Sequence, residues 1–229
     1  MITFLNRLAN SVARQGRMPR RIVAVLKKYC WIRRIGLWHF DLTRPDAPWR
    51  RFRQQNDNTV RWEKASPENC RVWGQSGADG YIPWQCEWLI RLIEEGHLVL
   101  VGYDNLSDGG DPQVPDCYVA LAFGHKTMTK RCSFCMEPDE GMILNAYTRE
   151  RSRRRKLATK ILAELCCLAE ERGLTKVYTD IDLSNTASQR AVENAGGVRI
   201  RNAVIDRIYF CQTQYILARG PLKDRFRKL

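Results

Sequence analysis

The chain has 229 residues, with 38 Lys and Arg against 25 Asp and Glu, a formal net charge of +13, 44% hydrophobic residues and 28% charged ones. That composition excludes an intrinsically disordered chain and fits one folded domain of ordinary size with room for an appendage. No window reaches the roughly 18 to 20 uninterrupted apolar residues of a membrane-spanning helix, which excludes an integral helical membrane protein. The N-terminus, MITFLNRLANSVARQGRMPRR, lacks a continuous apolar core and a small-residue cleavage site, so no secretory leader is predicted. A cytoplasmic, reducing setting is the expectation for the nine cysteines, seven of which are scattered among apolar neighbours, and they give no disulfide framework.

The charge is concentrated at the start of the chain. Residues 1–56 hold 13 Lys and Arg and two acids, a net of +11, which leaves +2 for the remainder. Ile2, Leu5, Leu8, Ala9 and Val12 recur at three- and four-residue intervals, predicting an amphipathic helix over 2–14. Ile22, Val23, Val25 and Leu26 predict a second over 18–30, with Pro19 at its start. The stretch 31–53 mixes Trp, Phe, Arg and Pro and is assigned no element. Residues 1–56 read as a basic appendage that packs on the main domain or makes peripheral contact with an anionic membrane; nucleic acid is the weaker alternative.

A core domain is expected from residue 57 to residue 218, followed by a basic tail over 219–229. The predicted elements are a strand over 59–63, a helix opened by Ser66-Pro67, a helix over 83–95 closed by Gly96 and a strand over 97–103. A turn rich in Asp, Gly and Pro covers 105–115, and a strand over 116–123 completes a hairpin. Strands over 130–136 and 142–147, a helix over 153–172, a strand over 176–181, a helix over 186–194 and strands over 198–202 and 207–218 follow. The order predicts an α+β, mixed α/β fold with one central sheet, mostly antiparallel and flanked by helices.

The densest chemistry lies between residues 142 and 197. A buried strand, MILNAYT, runs into a loop holding Arg149, Arg151, Arg153, Arg154, Arg155 and Lys156, and that loop opens a helix. Helix N-termini present free amides and a positive dipole end, and cations there oppose the dipole by a few tenths of a kcal/mol each. A polyanion relieves the conflict, so a pyrophosphate seat is expected.

Arg153-Arg154-Arg155-Lys156-Leu157-Ala158 resembles the Arg/Gln-x-x-Gly-x-Gly/Ala signature of the GCN5-related N-acetyltransferase superfamily, with Lys156 in place of the central Gly. Leu183 to Ser188 and Ala191 to Gly197 resemble its second signature, Asn-x-x-Ala/Ser and a short helix ending in Gly-Phe, with Gly197 in place of Phe. The resemblance implies acetyl transfer from acetyl-CoA to a primary amine by direct attack. It implies that Leu144, Asn145, Ala146 and Tyr147 hold the pantetheine, Arg153 to Ala158 the pyrophosphate, and Asn185 and Ser188 the far wall.

Many members of the family place a Tyr seven residues after the Asn as an acid for the thiolate. Val192 stands there, so Tyr209 and Tyr215 are the substitutes. For the base, Glu140 ranks before Asp182, with Glu137 and Asp180 behind them. His39, His97 and His125 have no metal-ligand spacing, and Cys132-x-x-Cys135 is a single pair, so no metal site is expected. Trp84 and Trp88, four apart on a helix, are candidates for stacking on a sugar or for the core. The implied acceptor is a small molecule, such as an amino sugar of a surface-glycan precursor, or a protein or peptide amine. The alternative from another class is a non-catalytic module of the same fold that binds RNA or anionic membrane.

Overall fold

A computed structural model describes residues 30–54, 59–105, 113–124, 134–210 and 213–226. Its strands are β1 (Cys30–Asp41), β2 (Val60–Lys64), β3 (Leu98–Asp104), β4 (Cys117–Phe123), β5 (Glu140–Thr148), β6 (Lys176–Asp182), β7 (Val198–Phe210) and β8 (Thr213–Arg219). Its helices are α1 (Pro48–Gln54), α2 (Pro67–Gln75), α3 (Pro83–Glu94), α4 (Leu157–Glu171) and α5 (Thr186–Asn194). The strands form one sheet in the order β2-β3-β4-β5-β6-β1-β7-β8. Only β5 and β6 pair in parallel, with α4 as their crossover, and every other neighbouring pair is antiparallel. This is the mixed, mostly antiparallel sheet that the element order predicts.

The expected boundary at residue 56/57 requires correction. β1 lies inside the sheet between β6 and β7, and Ile35, Leu37, Trp38 and Phe40 are all buried. An interior strand is covered on both faces, which explains why this run carries apolar residues at consecutive positions instead of alternating. α1 adds Trp49 to the same core. The sheet therefore includes Cys30–Asp41, ahead of the expected boundary. The two helices expected over 2–14 and 18–30 lie outside the described residues, except that Cys30 opens a strand.

Three other expectations change. Residues 125–133, with His125 and Cys132, lie outside the described residues, and Phe134 forms an isolated bridge to Phe226 where a strand was predicted. β7 runs unbroken over Val198–Phe210, and the strand predicted over 207–218 divides between β7 and β8. α4 starts at Leu157 instead of 153, because left-handed backbone at Arg154 and Lys156 interrupts helical geometry.

The sheet buries two faces. α4 contributes Leu157, Ile161, Leu162 and Leu165 to one of them, with Val192 of α5 and Trp49 of α1. α2 and α3 cover the other face over β3 and β4, through Cys70, Trp73, Cys86, Leu89 and Leu92. Ser66 caps α2 in a reciprocal capping box with Asn69. No helix among the described residues is long and apolar enough to cross a membrane.

Candidate functional site

The parallel pair opens at its C-terminal end. Pairing between β5 and β6 stops at Ile143↔Thr179, although β5 continues to Thr148 and β6 to Asp182. On the other side of β5, Ala120 pairs with Asn145 and Leu121 with Ile143, which leaves Leu144 as an extra residue. Such a bulge bends its strand and increases the twist. The β6-facing backbone of residues 144–148 thereby has no strand partner, and Ala146 is exposed on an interior strand of the sheet. Open α/β sheets bind ligands at the carboxyl ends of parallel strands. Leu144, Asn145, Ala146 and Tyr147 all lie on this free edge.

β5 then enters a short 3₁₀ turn, Glu150–Ser152, and the basic loop. Lys156 is the N-cap of α4 at φ 59° and ψ 16°, with no side-chain cap hydrogen bond. The first-turn amides of Leu157, Ala158 and Thr159 are left for an outside acceptor. The left-handed backbone explains why a glycine suits this position. Replacing Lys156 by Gly is expected to stabilise the protein by up to about 1 kcal/mol, because relief of strain exceeds the added chain entropy. Urea denaturation checks this, and a loss of stability would show that the lysine side chain holds the loop.

The six basic side chains of the loop divide into two groups. Arg149 reaches Asp79 at 3.1 Å, Arg151 reaches Asp116 at 2.9 Å and Arg155 reaches Asp104 at 2.8 Å. Asp116, 3% exposed, also accepts from the Ser152 hydroxyl at 2.6 Å and the Asp104 amide at 2.9 Å, while its carbonyl accepts from the Arg149 amide at 2.8 Å. These carboxylates fasten the loop to the sheet, and Arg155 is one of the side chains they hold. Arg153, Arg154 and Lys156 are exposed, and Arg153 forms a loose 4.0 Å pair with Glu150 and interacts with the Tyr147 hydroxyl. They are the cations available to a bound anion.

Opposite the loop, the connection between α2 and α3 docks on β5. Asp79 accepts from the Tyr147 hydroxyl at 2.8 Å and the Glu150 amide at 2.9 Å. Gly80 lies flat against the Tyr147 ring, where a Cβ would come within 2.0 Å of it. Asn145 Nδ2 donates to the Tyr118 hydroxyl at 3.0 Å, and Gln85 of α3 donates to the same oxygen. Trp84, beside Gln85, is 56% exposed, whereas Trp88 packs partly into the core beneath α3.

The two carboxylates ranked first for base chemistry are both engaged. Glu140 is 5% exposed; it accepts from the Tyr178 hydroxyl at 3.0 Å, the Glu137 amide at 2.8 Å and Arg225 Nη1 at 3.2 Å, and it pairs with Arg225 Nη2. Burial pushes its carboxyl up, but Arg225 and the Glu137 amide outweigh burial and hold it below the usual range. Asp182 accepts from the hydroxyl and amide of Ser184 and from Arg33, and these bonds, the Ser184 hydroxyl first, lower it to about 2. A carboxylate so far below neutrality is a weak base. Asp180 is paired with Arg207, and Glu137 is exposed.

Tyr209 and Tyr215 lie on β7 and β8, and their side chains fall outside the described residues. Asn185 caps α5 by accepting from the Ser188 amide at 3.1 Å. Val192 is buried in the core. A Cβ on Gly197 would meet Val192 at 2.4 Å and Phe40 at 3.0 Å, so Phe40 of β1 fills the space at this departure from the second signature. His97 is buried and accepts from the Phe123 amide at 3.3 Å. Sequence reasoning missed Asp79, Asp104, Asp116 and Tyr118. For Asp104 and Asp116 a signal existed, because each is an acid at the end of a buried apolar strand and requires a cationic partner.

The family model for the acetyltransferase (GNAT) family matches residues 60–196. No curated protein sequence matches the chain. Among solved structures, the fold is similar to a glucosamine N-acetyltransferase region of a fungal multi-domain β-N-acetylglucosaminidase, with TM-score 0.53 and 15% identity over 88% of this chain and 23% of that one. It is also similar to a GCN5-related N-acetyltransferase from Sphaerobacter thermophilus, with TM-score 0.50 and 17% identity over 90% of this chain and 58% of that one. A Drosophila protein gives TM-score 0.50 and 12% identity over 92% of this chain and 58% of that one. The chain thus spans less than two thirds of each of these structures, and at such identities the likeness establishes the fold. With more than half of its length matched, and with the open β5 edge and the α4 loop inside the matched region, the chain belongs to the GNAT acetyltransferase family.

Proposed function

We propose that the protein transfers the acetyl group of acetyl-CoA to a primary amine by direct attack, with an amino sugar as the acceptor class. The observation that carries this reading is the free edge of β5 beyond Ile143, leading into the N-terminus of α4. The residues present fit the donor. The edge offers backbone donors and acceptors to an extended amide-bearing arm, and the free first-turn amides with Arg153, Arg154 and Lys156 suit a polyanionic end. Bound acetyl-CoA would supply a thioester whose carbonyl carbon bonds the amine nitrogen as the carbon–sulfur bond breaks, the nitrogen losing one proton and CoA leaving as the thiol.

The chain's own residues orient and desolvate the reactants. Backbone N–H groups on the free edge fix the donor along β5 and draw charge from its carbonyl. Asn145, whose Nδ2 is committed to Tyr118, can accept an amine N–H at Oδ1. Exposed Trp84 next to Gln85 offers a flat apolar surface for a sugar ring. The glucosamine acetyltransferase named in the fungal neighbour supports the same acceptor class.

Release of CoA thiol measured with glucosamine, with a lysine-containing peptide and without any amine tests the proposal. Saturable, glucosamine-dependent release matched by N-acetylglucosamine formation is expected. Release with the peptide alone would move the acceptor to protein amines. Binding of acetyl-CoA with no turnover of either amine would overturn the catalytic reading in favour of a binding module.

A further inference from the structure

Two apolar clusters share the sheet face that carries Tyr118, the partner of Asn145. One lies beneath α2 and α3 and contains Tyr118 and Ala120; the other contains Met142, Tyr178, Leu37, Phe134 and Phe226. Ala122 pairs with Met142, and alternation along β4 places residues 118, 120 and 122 on one face, so both clusters lie on that face. Both pack against Leu144, the bulged residue at which β5 parts from β6. The opening at the free edge is thus flanked by α3 on one side and by the second cluster on the other.

That second cluster is roofed by the described segment that follows β8. Leu222 and Phe226 pack on it, and the Phe226 ring lies 5.0 Å from Phe134. Phe134 and Phe226 form an antiparallel bridge, the Cys135 amide donates to the Arg225 carbonyl at 2.7 Å, and Arg225 Nε donates to the Cys135 carbonyl at 2.8 Å. The Arg225 guanidinium lies over the Phe134 ring at 4.6 Å and is bound through both terminal nitrogens to Glu140, whose other donors are Tyr178 and the Glu137 amide. A buried carboxylate saturated in this way has the bonding of an anchor, whereas a base must keep a lone pair for its substrate.

We infer that Leu222–Phe226 is the wall of the acceptor cleft opposite α3, and that Glu140 and Arg225 are positioning residues that hold this wall in place. The inference rests on the proposed acetyl transfer and assigns the acceptor side of that site. It turns residues 219–226 of the expected tail into part of the functional body, and the carboxylate first read as a base into its anchor.

Steady-state kinetics of the full-length chain with glucosamine, alongside titration calorimetry with acetyl-CoA, test the assignment in Glu140→Gln, Arg225→Ala, Arg225→Lys and the Glu140→Gln/Arg225→Ala double variant. Glu140→Gln and Arg225→Ala are each expected to raise the acceptor KM about tenfold, with kcat within about threefold and the acetyl-CoA Kd within about twofold of the unmodified protein. Arg225→Lys should recover part of the loss, and the double variant should be no worse than Arg225→Ala, because both changes release one contact. Retained acetyl-CoA binding shows that the variants fold. A fall in kcat of about 10² or more confined to Glu140→Gln, with the acceptor KM unchanged, would make Glu140 a base and overturn the assignment.

If neither glucosamine nor a lysine peptide is turned over, the catalytic proposal fails, and amide hydrogen exchange decides the wall by itself. Added glucosamine should then still protect the amides of Leu222–Phe226 in the acetyl-CoA-bound protein, and no protection would overturn it.

Discussion

Deleting residues 1–57 is expected to abolish cooperative folding, and deleting residues 1–29, which spares β1, is the control. The larger deletion removes β1 from between β6 and β7 and exposes two strand edges in the middle of the sheet. It also removes Ile35, Leu37, Trp38 and Phe40, each 0–3% exposed. At about 1.5 to 3 kcal/mol per buried side chain these four contribute roughly 6 to 12 kcal/mol. That is comparable with the whole net stability of about 5 to 15 kcal/mol for a typical domain. Circular dichroism with thermal melting checks both deletions, and a cooperative melt from the larger one would show that β1 is an accessory to a self-sufficient domain.

The second large effect is expected at Asp116. Replacing it by Ala removes the acceptor of Arg151 Nε at 3.0 Å, of the buried Ser152 hydroxyl at 2.6 Å and of the Asp104 amide at 2.9 Å. Leaving the Ser152 hydroxyl and the Asp104 amide buried without an acceptor costs about 1 to 3 kcal/mol each, while the exposed Arg151 regains solvent. The loop between β5 and α4 loses its main fastening in the same step. Urea denaturation should show that loss of stability, and acetyl-CoA affinity should fall at least tenfold. Asp116→Asn, which keeps acceptor capacity without the charge, should lie between. A stability change below about 1 kcal/mol with unchanged affinity would mean that Asp79 and Asp104 suffice to hold the loop.

The parts of the fold legible in the sequence are those whose signals are local. The helical stripe Leu157, Ile161, Leu162, Leu165 and the apolar run of β4 each reveal their element within one window, and the strand-loop-helix order around Arg149 to Lys156 locates the site. β1 escaped because Arg33, Arg34 and its aromatics resemble an exposed basic segment. The partners that neutralise those arginines, Asp182 and Asp206, lie 149 and 172 residues away. The ion pair that engages Glu140 was invisible for the same reason, since Arg225 is 85 residues distant in sequence. Lys156 looked like a defect in a signature, and its φ of 59° shows that the backbone keeps the left-handed geometry for which glycine is suited.

The central claim is that the free edge of β5 and the N-terminus of α4 bind acetyl-CoA. Titration calorimetry of acetyl-CoA into the full-length protein measures this most directly, with the Arg153→Ala/Arg154→Ala variant and a salt series beside it. One-site binding is predicted, weakened about tenfold or more by the double substitution and weakened by salt, as charge-assisted contacts to phosphates require. Absence of binding, or an affinity that neither the substitutions nor salt alters, would contradict it.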